Sequence, residues 1–232
     1  MYFITDIFFD LDHTLWDFDR NSNETLTELF DEFGIRALKE NTTVTDFIVA
    51  FQAVNYELWG LYNQNRVGRK YIRDERFGLV FDRLGIDRRF LPKNIALEYL
   101  FRCPQKKYLE AHTKEVLAYL ANKYKLHILT NGFEDVQFVK LKSADILHYF
   151  DVIVTSECIG YKKPSPEIFN HALKKAGVNA QKSVMIGDNP EADIVGAKNV
   201  QMTTVLYNSR KVVHNSMPDY EVFSLKDLQD IL

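Results

Sequence analysis

Residues 2 to 9 of this 232-residue chain, YFITDIFF, are mostly β-branched or aromatic, and the run predicts a buried strand. From Asp19 to about Arg102 apolar positions recur instead at helical spacing. Leu26, Leu29, Phe30 and Phe33 form one stripe closed by Gly34, and Phe47, Phe51, Val54, Leu58 and Leu61 form a second. Phe77, Val80, Phe81 and Leu84 make a third, closed by Gly85, and Ile95 to Phe101 a fourth. No strand is expected in this block. After Cys103-Pro104 the two periods alternate: helices over 113–123, 134–147, 166–177 and 191–199, with strands in KLHILT, FDVIVTSE, KSVMIGD and TTVLY. A short helix over 225–232 closes the chain.

Strands alternating with helices imply an α/β fold, a mostly parallel Rossmann-like sheet with helices on both faces. The first strand belongs to that sheet, so the helical block interrupts one domain. The expected organisation is an α/β core of residues 1–17 and 104–232, with an all-helical insertion over 18–103.

Composition narrows the class. Hydrophobic content of 46% and charged content of 26% are ordinary for a soluble globular protein. A net charge of −3 offers no polyanion-binding signature, so no nucleic-acid partner is expected. No apolar run suffices to span a bilayer, and MYFITDIFF lacks the basic start of a signal peptide. Cys103 and Cys158 lack metal-type spacing and fit inert thiols in a reducing compartment. A cytoplasmic enzyme or binding protein is expected.

In open α/β sheets ligands bind beyond the carboxyl ends of the strands. Four polar clusters fall there: Asp10 and Asp12, Thr130-Asn131-Gly132, Lys163-Pro164, and Gly187-Asp188. Each alone is compatible with turn chemistry, helix capping or solvated surface. Their joint occurrence, in order, on one sheet edge points to a site. Asp10 and Asp188 with a backbone carbonyl suit a hard, oxygen-seeking ion, hence Mg²⁺, and no His/Cys cluster argues for zinc. A lysine and a threonine hydroxyl facing the same pocket suit an anion, most economically a phosphoryl group. A carboxylate at about 4 Å from another like charge meets about 4 kcal/mol of repulsion at an effective dielectric of about 20. The metal and Lys163 would offset it.

The stretches DLDHTLW, LTNGF, IGYKKPSPEIF and GDNPEAD resemble, in order, the four signature motifs of the haloacid dehalogenase-like hydrolase superfamily. The resemblance implies that Asp10 is a nucleophile forming an aspartyl-phosphate and that Asp12 is its general acid and base. Asp12 also implies a phosphatase, since dehalogenase members lack an acid there. Thr130, Lys163 and the Asn131 backbone N–H would hold the phosphoryl group. Asp10, Asp188 and the Asp12 backbone carbonyl would hold Mg²⁺, and Asp193 would orient Lys163 or metal-bound water. The insertion resembles the superfamily's first class of helical caps, which restrict the leaving group. Within it FQAVNYELWGLYNQ resembles the corresponding helix of bacterial pyrimidine 5′-nucleotidases, and LTNGF and SECIGYKKP fit that subgroup. The basic RVGRKYIRDER segment departs from it.

Tyr56, Trp59 and Tyr62 read either as a base-stacking surface or as the interior of the helical block. Arg66, Arg69, Lys70 and Arg73 read either as a screen for an anionic substrate or as a solvated face. His13 has no assigned role. The resemblance implies a Mg²⁺-dependent phosphomonoesterase taking a small phosphorylated metabolite, a pyrimidine nucleoside monophosphate foremost. The alternatives are a sugar-phosphate phosphatase or mutase, a phospho-acceptor module, and a non-catalytic binding protein. Receiver-type acceptor modules are about half this length and carry their aspartate on a middle strand.

Overall fold

A computed structural model of the chain describes residues 3–232, so Tyr2 of the expected first strand lies outside the described residues. That strand is shorter than its apolar run: β1 spans Asp6–Phe9. The chain divides into two compact units, one of residues up to Phe18 with Lys107–Leu232, the other Asp19–Lys106.

The second unit is helical: α1 (Phe18–Glu32), α2 (Val44–Asn63), α3 (Arg69–Leu84) and α4 (Ile95–Arg102). Thr43 and Asp46 form a reciprocal capping box that starts α2, and Gly85 ends α3 in the left-handed region at φ 67°. The predicted stripes meet in an aromatic interior: Phe51 and Phe77 lie 4.8 and 5.7 Å from Tyr99, and Phe30 lies 5.7 Å from Phe47. Arg76, the last residue of the basic RVGRKYIRDER segment, is buried in that interior over the rings of Phe51 and Tyr99, bonded to Asn55 Oδ1 at 3.0 Å. Of the candidate aromatic stripe, Tyr62 is buried while Tyr56 is 83% exposed. Arg66, Arg69, Lys70 and Arg73 are all exposed.

The first unit carries β2 (Lys125–Thr130), β3 (Phe150–Thr155), β4 (Ser183–Gly187), β5 (Thr203–Tyr207) and β6 (Tyr220–Val222). With β1 they form one parallel sheet in the order β3-β2-β1-β4-β5-β6. Three-residue β6 was not anticipated, because so short an edge strand leaves no readable periodicity. Helices α5 (Thr113–Ala121) and α6 (Glu134–Ser143) lie on the connections leading to β2 and β3. The one-turn α7 (Ser156–Ile159), α8 (Pro166–Ala176) and α9 (Gly196–Asn199) follow, and α10 (Leu228–Ile231) is the last. Helix α6 stops short of the expected 147, the chain turning at Asp145 with φ 57°. The helix expected over 191–199 opens as a π-helical turn, Pro190–Val195.

Strand order reverses direction between β1 and β4. Right-handed crossovers therefore place the helices before and after the reversal on opposite faces, and a crevice opens at the carboxyl ends. Phe8, Leu129, Val154 and Met185 project from neighbouring strands onto Ile168, Phe169 and Ala172 of α8 to form the core of one face. Cys103 is buried and Cys158 exposed. Among the described residues no helix is long and apolar enough to cross a membrane.

Phe169 is fully buried, and Gly196 lies so close that an added Cβ would stand 2.5 Å from its ring. Phe169→Ala is expected to cost about 3–5 kcal/mol, read from the urea unfolding midpoint. Phe138→Ala, at a 39% exposed position of α6, is expected to stay within about 0.5 kcal/mol.

Candidate active site

Every site residue expected from the sequence lies in the α/β unit at the carboxyl edge of the sheet. Asp10 follows β1, its backbone N–H donating to Ile186 O at 2.9 Å, so the ladder between β1 and β4 extends into the site. Lys163 Nζ donates to Asp10 Oδ1 at 2.6 Å, Asp193 Oδ1 at 2.6 Å and Leu129 O at 2.8 Å. All three ammonium protons are thereby committed. Asn131 holds the loop that carries this lysine: its Oδ1 accepts from Lys163 N at 2.7 Å and its Nδ2 donates to Lys163 O at 3.0 Å. The Lys163-Pro164 peptide bond is cis.

The π-helical turn sets Asp193 directly beneath β4. Asn189 Oδ1 accepts from Glu191 N and Ala192 N at 3.1 and 2.9 Å, capping the turn, and Asn189 N donates to Asp193 Oδ2 at 3.0 Å. Gly187 makes room, since a Cβ there would stand 2.2 Å from Asp193 Oδ2. Asp193 thus has one oxygen on Lys163 and the other on a backbone amide. Asp188 is partly buried and accepts from Thr14 Oγ1 at 3.3 Å. Oxygens of Asp10, Asp188 and Asp193 all lie within 4.8 Å of one another.

Thr130 ends β2. Its Oγ1 accepts from Gly132 N at 3.1 Å and Gln137 Nε2 at 3.2 Å, which leaves the hydroxyl proton as the group to donate. Asp12 sits apart from Lys163. Lys140 Nζ donates to its two carboxylate oxygens at 2.6 and 2.8 Å, and Gln137 Nε2 to Oδ2 at 2.9 Å.

The two aspartates of the first strand end therefore occupy opposite electrostatic settings. Burial raises Asp10 from an ordinary 3.8 to about 7; Lys163 opposes the rise and Asp193 adds to it. Asp188 is likewise held well above the carboxylate range, first by burial and then by Asp10 and Asp193. Burial pushes Asp12 up as well, but Lys140 and Gln137 more than reverse this and hold it below its ordinary value. Lys163, which burial alone would push down, is held above the lysine range by Asp10 and Asp193.

The family model for haloacid dehalogenase-like hydrolases matches residues 6–201, from β1 through the last of these side chains. The chain belongs to that family. Over 97% of its length it is 32% identical to pyrimidine 5′-nucleotidase YjjG of Escherichia coli, covering 96% of that protein. It is 29% identical to pyrimidine 5′-nucleotidase PynA of Streptococcus pneumoniae, with 97% and 94% of the two chains aligned. Its fold is that of a magnesium-bound structure of HAD-hydrolase YfnB from Bacillus subtilis, with a TM-score of 0.86 over 99% of this chain and 98% of that one, at 23% identity.

Three site contributors of this family member were missed in the sequence. Thr14 was passed over although it lies on the same short segment as both aspartates. Gln137 and Lys140 share the buried stripe of α6 with Leu141. Polar residues three apart on the apolar side of a helix, just after Thr130-Asn131-Gly132, were the available signal.

Lys163 separates two buried carboxylates, so Lys163→Met is expected to cost about 3–5 kcal/mol at about pH 8 without divalent cation. The sign with pH follows from Asp10. Its carboxyl is favoured neutral in the fold, so it opposes folding increasingly as pH rises from 3.8 through about 7. Urea unfolding of variant and wild type at about pH 5 and about pH 8 checks this, the larger loss being at the higher pH.

Proposed function

We propose that the chain is a Mg²⁺-dependent phosphomonoesterase working through an aspartyl-phosphate at Asp10, and that its substrates are nucleoside 5′-monophosphates, pyrimidines preferred. The observation that carries this reading is the pairing at one strand end of a buried carboxylate on Lys163 with a second acid, Asp12, two residues on. The nucleotide class rests on the names of the two relatives that align along nearly the whole chain.

The donor set fits a divalent cation. Three carboxylates cluster where Lys163 pairs with Asp10 and Asp193 and the Arg210 charge acts on Asp188, so negative charge exceeds positive, and all the donors are oxygens. Because both Asp193 oxygens are already engaged, Asp10 and Asp188, with the Asp12 backbone carbonyl, are the groups that would hold Mg²⁺. When bound, the ion would supply the positive charge that lets a carboxylate approach a phosphoryl dianion.

The side chains perform the rest. An Asp10 oxygen attacks phosphorus and the ester P–O bond breaks with its electron pair on the leaving oxygen; Asp12, ionised on Lys140 in the resting site, takes a proton from solvent water and relays it to that oxygen. Water then attacks phosphorus and passes a proton to Asp12, while the bond to Asp10 breaks and returns its pair to the carboxylate. Thr130 donates its hydroxyl proton to a phosphoryl oxygen. Lys163, whose protons are all committed in the resting site, shifts its Asp10 bond to the phosphoryl group once esterification removes the charge on Asp10. Asp12 favours phosphoryl over carbon–halogen chemistry, because an alkoxide must be protonated to leave and a halide need not be.

The test is phosphate release from nucleoside monophosphates and sugar phosphates, with Mg²⁺ and with chelator. Chelator-sensitive turnover led by pyrimidine nucleotides is expected, and Asp10→Asn should lower it by at least about a thousandfold while leaving the circular dichroism unchanged. Turnover led by hexose phosphates would keep the esterase and remove the nucleotide preference. Substantial activity in Asp10→Asn would remove the covalent route.

A further inference from the structure

Lys140 is a buried lysine with no place in the chemistry above. It is 4% exposed, and its ammonium lies 4.5 Å from the Trp16 ring centre and 5.7 Å from that of Phe18. Its carboxylate partner is Asp12, 128 residues away in the chain, and it meets both oxygens of that group. Gln137, one helical turn earlier on α6, is 1% exposed and spans Asp12 Oδ2 and Thr130 Oγ1 with a single amide nitrogen. The opposite atom of that amide, Gln137 Oε1, is buried with no hydrogen-bond partner. An unsatisfied buried acceptor and a desolvated ammonium both cost stability, and an apolar pair on this face of α6 would pack without either cost. What the pair does achieve is geometric. Three donor contacts fix both oxygens of Asp12, and one of them ties that carboxylate to the threonine that ends β2.

We propose that Lys140 and Gln137 are positioning residues that fix the Asp12 carboxylate in the plane from which it hands its proton to the leaving oxygen and takes one from water. The proposal rests on the acid–base role assigned to Asp12 above. Neither side chain is assigned a bond to phosphorus or to the ion. Lys140 acts through Asp12, and Gln137 through Asp12 and the orientation of Thr130.

The two half-reactions separate the role from simple support of the fold. With a nucleoside monophosphate the leaving alkoxide needs the proton of Asp12, and so does the attack of water. With p-nitrophenyl phosphate the leaving nitrophenolate needs no proton, and only the second half depends on Asp12. Lys140→Met is therefore expected to lower kcat on a nucleoside monophosphate about a hundredfold, with KM changed less than about threefold. On p-nitrophenyl phosphate, rapid mixing should show a burst of about one nitrophenolate per site followed by slow turnover. Lys140→Arg, which keeps the charge and the donors, should recover about tenfold of the loss. Gln137→Leu provides an independent variant, with an expected loss of about tenfold and the same burst.

Asp12→Asn serves as the reference. If it loses nucleotide turnover while Lys140→Met and Gln137→Leu, both folded by circular dichroism, keep wild-type kcat, the positioning role is overturned and the Asp12 reading stands. If Asp12→Asn keeps full turnover as well, the reading beneath the proposal fails with it. An equal loss on both substrates without a burst would assign Lys140 to the first half-reaction on every ester and would likewise overturn the role proposed here.

Discussion

The buried ammonium of Lys163 is the interaction on which the site depends. It draws together Asp10 at the end of β1, the Leu129 carbonyl in β2, the loop after β3 and Asp193 in the turn after β4. Without that charge the topology would only place two carboxylates near each other in a poorly solvated pocket, where their repulsion and desolvation would drive them apart or protonate them. With it, four chain segments distant in sequence share one hydrogen-bonded centre. Asn131 shows how firmly the lysine is specified, since its side-chain amide engages the backbone of residue 163 on both its donor and acceptor sides.

The compensation is incomplete, and the shortfall is informative. Lys163 pairs with Asp10 and Asp193, and the Arg210 charge acts on the neighbouring Asp188, so three carboxylates meet two cations and the site carries excess negative charge. The raised pKa values of Asp10 and Asp188 express that excess in the protein alone. A pocket optimised only for stability would contain fewer acids or more bases. Retaining this charge imbalance at a sheet edge is characteristic of a site whose balance is completed on binding. Gly187 and Gly132 serve the same local need: an added Cβ would stand 2.2 Å from Asp193 at the first and 1.6 Å from the Gln137 amide at the second.

Much of this was legible in the sequence because the sheet order follows from alternation. Once β1 is central and its neighbours are parallel, Asp10, Thr130 and Asp188 must share an edge, and most apolar positions of the helical stripes in residues 19–102 turn inward, although Leu97 and Phe101 of the fourth are exposed. The illegible parts have physical reasons. The π-helical turn that seats Asp193 differs from an α-helix in its backbone pairing, which leaves no mark on hydrophobic periodicity. Gln137 and Lys140 are of residue types whose burial sequence alone does not signal, since a lysine is seldom buried unless it is paired. Arg76 was hidden for the same reason: its surroundings are two aromatic rings and an asparagine, and a charge inside an aromatic interior contradicts the pattern from which that interior is recognised.

Asp10 and Asp12 are two residues apart, yet they differ in environment more than many groups far apart in a fold. Strand alternation would place residues i and i+2 on one side, but the chain leaves β1 at Phe9 and turns back through His13, whose φ is 64°. Asp10 therefore stays with the sheet-edge cluster and Asp12 swings to α6. The consequence is chemical. A carboxylate raised by burial among other acids and a carboxylate lowered by its own lysine cannot serve interchangeably, and environments pushed apart in this way are how two like residues take different roles. In the proposed mechanism the division follows the lysines. Lys163 belongs to the acid that bonds to phosphorus, and Lys140 to the acid that moves the proton.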